Sequence, residues 1–71
     1  MSKIALGNHI RAFRTAQGLT QAELAQRVGV SRKTINTVEN AVSIPSTLLA
    51  LTLARALNTS VEALFFLTGE Q

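Results

Sequence analysis

The sequence predicts an all-α fold of five short helices and no strand, and three observations carry that expectation. Apolar residues recur at intervals of three and four: Leu6, Ile10 and Phe13; Leu24 and Val28; Ile35 and Val38; Leu48, Leu49, Leu51, Leu53 and Leu57; and finally Val61, Leu64 and Phe65. Residues that begin helices (Thr20, Ser31, Ser60) and residues that end them (Gly18, Gly29) stand between these groups. The third observation is the break between Val28 and Ser31, where Gly29 can take the left-handed conformation of a sharp turn and Ser31 can cap a new helix.

Helix one is expected from about Ala5 to Gln17, stopping at Gly18. Leu19 begins the connection, and Thr20 followed three residues later by Glu23 forms a capping box that fixes the first turn of helix two, about residues 21–28. Helix three follows over about 32–39, opening with the basic pair Arg32 and Lys33. A helix of about eight residues, a turn of three or four containing Gly, and a second helix with a basic, polar face is the helix-turn-helix pattern. Pro45 pushes Ile44 out of helical geometry, so residues 40–46 are a connection. Helix four runs from Ser46 or Thr47 to Leu57. Asn58 and Thr59 turn, Ser60 caps helix five, and Glu62 places negative charge where that helix's dipole favours it. The last residues, Thr68 to Gln71, are expected to fray.

At 71 residues the chain is expected to be one domain with a core over about 4–67, close to the smallest size that packs without staples. It has no cysteine and one histidine, His9, so neither a disulfide framework nor a thiolate or histidine metal site is signalled. No cofactor motif is present. Hydrophobic residues make up 46% of the sequence, yet no apolar run approaches the roughly 20 residues that cross a bilayer. The start is too short in apolar residues for a signal peptide, so the expectation is a soluble cytoplasmic protein with no membrane partner. Seven Lys and Arg against four acidic residues give a net charge of +3, which suits a polyanion without proving one. Catalysis is not signalled: no nucleophile and base pair stands out, and the carboxylates are scattered.

With Gly18-Leu19-Thr20-Gln21-Ala22-Glu23-Leu24-Ala25, Val28-Gly29-Val30-Ser31, Thr34-Ile35, Val38-Glu39-Asn40, Pro45-Ser46 and Ala56-Leu57 in place, the chain resembles the Cro and phage-repressor type helix-turn-helix family, also called the xenobiotic response element family. The match covers about Ile10 to Leu67. The resemblance implies a compact, lambda-repressor-like bundle of five helices. It further implies a transcriptional regulator, expected to be a repressor, that binds double-stranded DNA as a homodimer on a palindromic operator.

Site residues follow from the same resemblance. Gln21 matches a phosphate contact at the first position of helix two, where free N–H groups make an anion site; the plainer reading is a solvated polar residue. Arg32 and Lys33 match the opening of the recognition helix, where Arg can bind guanine in bidentate fashion and Lys can serve a base or a phosphate; the plainer reading is a solvated pair. Helical spacing, not the resemblance, puts Asn36 and Thr37 one turn further on the same face, Asn36 offered to a base or phosphate and Thr37 to a thymine methyl; the plainer reading is a solvated pair. Asn40 matches a phosphate contact or else caps helix three. Arg14 and Glu39 match an internal ion pair that is structural. His9, on helix one, is an ordinary surface histidine or a phosphate contact.

The sequence departs from the family after Asn40, where a Gly followed by a basic or polar residue is common and Ala41 and Val42 stand instead. Either Asn40 takes the left-handed conformation or the loop has another shape, and a phosphate contact is expected to be lost. The leucines from Leu48 to Leu57 are read as core. Val42 and Ile44 are a partner surface, a local packing variation, or isolated exposed side chains. Phe65, Phe66 and Leu67 cannot all face one small core from a helix, so Phe66 or Leu67 is expected at the surface or in a dimer contact through helix five. The rival to DNA reading is a protein-interaction role, an antitoxin with a toxin or other protein partner on Val42, Ile44, Phe66 and Leu67.

Overall fold

The computed structural model describes residues 3–69. Its order is strand β1 (Ile4–Asn8), helices α1 (Ile10–Ala16), α2 (Gln21–Val28), α3 (Arg32–Glu39), α4 (Thr47–Ala56) and α5 (Val61–Leu64), and strand β2 (Phe65–Gly69). Helices dominate, but the fold is not all-α. β1 and β2 pair antiparallel, Ile4 with Gly69 through Asn8 with Phe65.

This ribbon corrects both ends of the sequence expectation. Helix one does not begin at Ala5. Asn8 stops the strand and starts the helix, its Oδ1 accepting the N–H of Ile10 at 3.0 Å while its Nδ2 donates to the Val38 carbonyl at 2.9 Å. At the other end, helix five is a single turn of four residues, and Phe65, Phe66 and Leu67 continue as strand. In a strand, neighbours face opposite sides, which resolves the crowding of three successive apolar residues. Leu67 shares a face with Leu6, Phe65 and Ile4, whereas Phe66 lies on the other face, its ring 4.6 Å from that of His9. Gly7 makes room for that ring, since a Cβ there would overlap it. His9 stands at the N-terminal boundary of α1, and its N–H donates to the Leu64 carbonyl. Thr68 belongs to the strand; Met1, Ser2, Glu70 and Gln71 lie outside the described residues.

The core is Ile10, Leu19, Leu24, Ala25, Ile35, Val38, Leu53, Ala54, Leu57, Leu64 and Phe65. In α4 only one face reaches it: Leu49, Leu53 and Leu57 follow each other at helical spacing, while Leu48 and Leu51 lie on the solvent side, 76% and 56% exposed. The reading of the whole leucine stretch as core is therefore corrected for these two.

Four helices end in the same way. After α1, α2, α3 and α4 a residue with positive φ follows, namely Gly18, Gly29, Ala41 and Asn58, and the next residue donates back to the carbonyl five positions earlier. This is the Schellman arrangement, which satisfies orphan carbonyls at the helix end. Gly and Asn tolerate the conformation; Ala41, at φ 57°, does not, while Asn40 before it stays at φ −87°. The loop keeps the family's turn and carries the strain on alanine. Ala41→Gly is accordingly expected to stabilise the protein by about 1 kcal/mol, read as a rise in denaturation midpoint at unchanged slope; a fall would show that the Cβ is not strained.

Candidate nucleic-acid interface

The Thr20 and Glu23 capping box forms: Thr20 Oγ1 accepts the Glu23 N–H at 3.1 Å, and Glu23 accepts the Thr20 N–H at 2.9 Å. Thr20 holds the Glu23 carboxyl below its ordinary pKa, through its backbone N–H first and its hydroxyl second. With Glu23 and Leu24 bonded to Thr20, the N–H groups of Gln21 and Ala22 are left pointing out of the helix end, ready for solvent or an anion. The cleft in front of them is lined by Arg14, Gly18, Leu19, Gln21, Ala22 and, from the neighbouring helix, Arg32.

Gly29 takes φ 77° and turns the chain, and Ser31 then caps α3 by accepting the Thr34 N–H at 3.2 Å. Arg32 and Lys33 open α3 and are exposed, with Asn36 exposed one turn later. The core side of α3 is Ile35 and Val38. Thus the helix presents a polar and basic face to solvent and an apolar face to the protein.

Behind that face Glu39 gathers the two helices and α1. Its Oε2 accepts from Arg14 Nε at 2.6 Å, and its Oε1 accepts from Arg14 Nη2 at 3.1 Å and Gln21 Nε2 at 3.2 Å, with Arg11 Nε at 3.5 Å. The Glu39 side chain has no exposed surface and that of Arg14 is 11% exposed. Burial pushes the Glu39 carboxyl toward a higher pKa, but the hydrogen bonds from Arg14, Gln21 and Arg11 and the Arg14 charge outweigh it, and the net shift is downward. Arg14 is raised in turn, chiefly by its hydrogen bond to Glu39. The remaining Arg14 nitrogen, Nη1, donates to the Leu19 carbonyl at 2.8 Å.

Other residues singled out in the sequence fall as follows. Gln21 is half-buried, joined to Glu39 through its nitrogen and to Asn36 through its oxygen. Thr37 is half-buried, and its hydroxyl is committed to the Thr34 carbonyl and to Ser43, whose Oγ is 2.7 Å away; its carbonyl accepts the N–H groups of Val42 and Ser43. It anchors the loop after α3. Asn40 caps α3, donating to the Asn36 carbonyl at 2.9 Å and accepting from Arg11 at 3.3 Å. Val42 and Ile44 are 77% and 82% exposed. Sequence reasoning missed Arg11, which extends an exposed side chain over the end of α3, and Asn8, which fastens that end to α1; the only signal for Arg11 was its three-residue spacing from Arg14.

Comparison with known proteins agrees with this geometry. A family model described as helix-turn-helix matches residues 10–64, from the first residue of α1 to the last of α5. The chain belongs to the Cro and phage-repressor type helix-turn-helix family. An HTH-type transcriptional regulator of Archaeoglobus fulgidus is 45% identical over 62 residues, 87% of this chain and 89% of its own. One of Methanothermobacter thermautotrophicus is 49% identical over 59 residues, covering 82% and 86% of the two chains. The Bacillus subtilis regulator YgzD is 35% identical over 63 residues, 89% and 96%. The helix-turn-helix of this family member is α2, the Gly29 turn and α3, and the family is one of DNA-binding transcription regulators. Among the described residues no helix is long and apolar enough to cross a membrane.

Proposed function

We propose that the protein is a sequence-specific transcriptional regulator, a cytoplasmic repressor, that reads the major groove with α3 as a homodimer on a palindromic operator. The observation that carries this reading is the exposed Arg32 and Lys33 at the capped opening of α3, beside the outward N–H groups of α2. Phosphate held at the N-terminus of α2 would orient the domain, and Arg32, Lys33 and Asn36 would face base edges. Thr37 contributes its methyl at most, because its hydroxyl is spent on the loop. Gln21 and Asn40 remain phosphate contacts in this reading, each through an amide N–H not used within the chain, and Arg11 adds a cation beside Asn40. The test is selection of bound duplexes from a random library at near-physiological salt, with Arg32→Ala/Lys33→Ala as control.

The homodimer is supported by an apolar face on the ribbon side. Ile4, Leu6 and Leu67 lie together on one face of the ribbon, and Leu6, Pro45 and Phe65 are common to two adjoining grooves that also take in Ile44 and Leu51. A two-stranded ribbon is marginal on its own and gains from cover. In this reading the contact uses the ribbon and the α3–α4 loop rather than helix five, and Phe66 packs on His9 on the opposite ribbon face. Ile44→Glu/Leu67→Glu is expected to shift sedimentation from dimer to monomer; a wild-type protein that sediments as monomer both free and on DNA removes the dimer. The same face favours a second reading, an antitoxin or interaction module with a toxin or other protein partner. In that case a protein co-purifies with the wild type and with the Arg32→Ala/Lys33→Ala variant alike, and is lost from the double glutamate variant.

A further inference from the structure

An ionised carboxylate only accepts hydrogen bonds. Glu39 is held in that state behind α3, and the end of the Gln21 side chain that faces it must therefore be the NH₂, as the 3.2 Å contact to Nε2 has it. Turned the other way, Gln21 would set a carbonyl oxygen against the carboxylate. Its Oε1 consequently points away from Glu39, toward Asn36, whose Nδ2 is 3.4 Å distant. A carbonyl also only accepts, so the same logic passes one residue further, and Asn36 turns its NH₂ toward Gln21. What Asn36 has left is one acceptor, Oδ1, beside one unused N–H, on an exposed side chain one turn from Arg32 and Lys33. In the major groove adenine alone offers the matching pair, an N7 acceptor next to an N6 donor.

We propose that Asn36 reads an adenine in the operator half-site, and that Gln21, itself directed by Glu39, is the positioning residue that fixes which way the Asn36 amide faces. The proposal rests on the reading of α3 as the base-contacting helix. It adds a base and a cause: the amide reaches the groove already turned, and the mirror arrangement, which would misplace donor and acceptor against N7 and N6, is excluded by a chain of two hydrogen bonds from a fixed negative charge. The link between Gln21 and Asn36 is exposed in the free protein and strengthens when DNA excludes water from it.

The experiment uses the duplex enriched in the library selection, with each half-site adenine replaced in turn by 7-deazaadenine, which lacks the N7 acceptor. Dissociation constants are measured for the wild type, Asn36→Ala and Gln21→Met, each first shown to be folded by its thermal transition. One adenine is expected at which the deaza replacement weakens wild-type binding about tenfold, the size of one base-edge hydrogen bond. At that position the penalty should vanish in Asn36→Ala and shrink in Gln21→Met, while the effects of replacing the other half-site adenines stay as in the wild type. If the deaza penalties are the same in wild type and Asn36→Ala, Asn36 does not read adenine. If Gln21→Met weakens binding to all duplexes equally, Gln21 is a phosphate contact only and the positioning role falls. A library that enriches no duplex at all overturns sequence reading by α3, and this proposal with it; an enriched duplex indifferent to Asn36 overturns this proposal alone.

Discussion

Glu39→Ala is expected to remove about a third or more of the stability of the fold. Removing the carboxylate strands the Arg14 guanidinium, whose side chain is only 11% exposed, and withdraws acceptors from Gln21 and Arg11 as well. Breaking a buried pair by deleting one partner costs about 3–5 kcal/mol. A domain of this size has a total stability of roughly 4–10 kcal/mol, so the loss takes from about a third of it to all of it. Urea unfolding followed by circular dichroism would show it, and a midpoint within error of the wild type would mean that the cluster contributes nothing net. Arg14→Met/Glu39→Leu removes both charges and should recover most of the loss, because neither partner is then left uncompensated. If instead Arg14→Ala leaves thermal stability unchanged and weakens only DNA binding, Arg14 is a phosphate contact and not a structural residue. The same carboxyl contributes to the acid limb of stability. Its pKa is lower in the folded than in the unfolded protein, so its contribution is fully present above the unfolded value, about 4.3, and is lost as pH falls through the depressed folded value. Glu39→Gln should therefore flatten the acid limb of the profile.

The second large effect concerns DNA. Replacing Arg32 and Lys33 by alanine should abolish enrichment from the random library while leaving the fold intact, because both side chains are exposed and neither caps a helix. Loss of a bidentate guanine contact alone is worth about 1–3 kcal/mol in each half-site, and a twofold dimer loses it twice. The wild type should return a palindrome with half-site centres about ten base pairs apart, one turn of B-DNA. The salt dependence separates two kinds of loss. If one of the two residues meets only phosphate, its single replacement lowers affinity uniformly across sequences and reduces the salt slope by about one per half-site. Equal enrichment by the double variant would show that α3 is not the reading helix.

How much of this could be read in the sequence differs sharply along the chain. The helix-turn-helix was legible because its limits are written in local chemistry: the Thr20 and Glu23 box, Gly29, and the Ser31 cap each act within four residues. The ribbon was not. Leu6, Ile10 and Phe13 happen to continue the helical interval into β1, and Val61, Leu64 and Phe65 do so into β2, so periodicity extended both helices too far. What makes these residues strand is each other, across some sixty positions of chain, and no local pattern reports such a partner. The site divides along the same line. Arg32 and Lys33 follow from their place after the cap, and the pairing of Arg14 with Glu39 came with the family resemblance. Gln21 and Asn36 were each visible as polar residues on the right face, but their hydrogen bond depends on the crossing of α2 and α3, which spacing does not give. Asn8 carried no signal at all, since its two bonds join three elements.

The antiparallel pairing of β1 with β2 has a consequence for synthesis. β1 is made before the five helices and its partner only after them, so Ile4 and Leu6 wait unpaired while the helices can already pack on one another. Closing so long a loop is the costliest step in entropy and belongs at the end of folding. For the interval between, β1 is an open, apolar strand edge, the kind of segment that pairs with whatever strand it meets first. In a regulator whose copies are translated in succession from one message, the nearest such strand is that of the chain being made next to it.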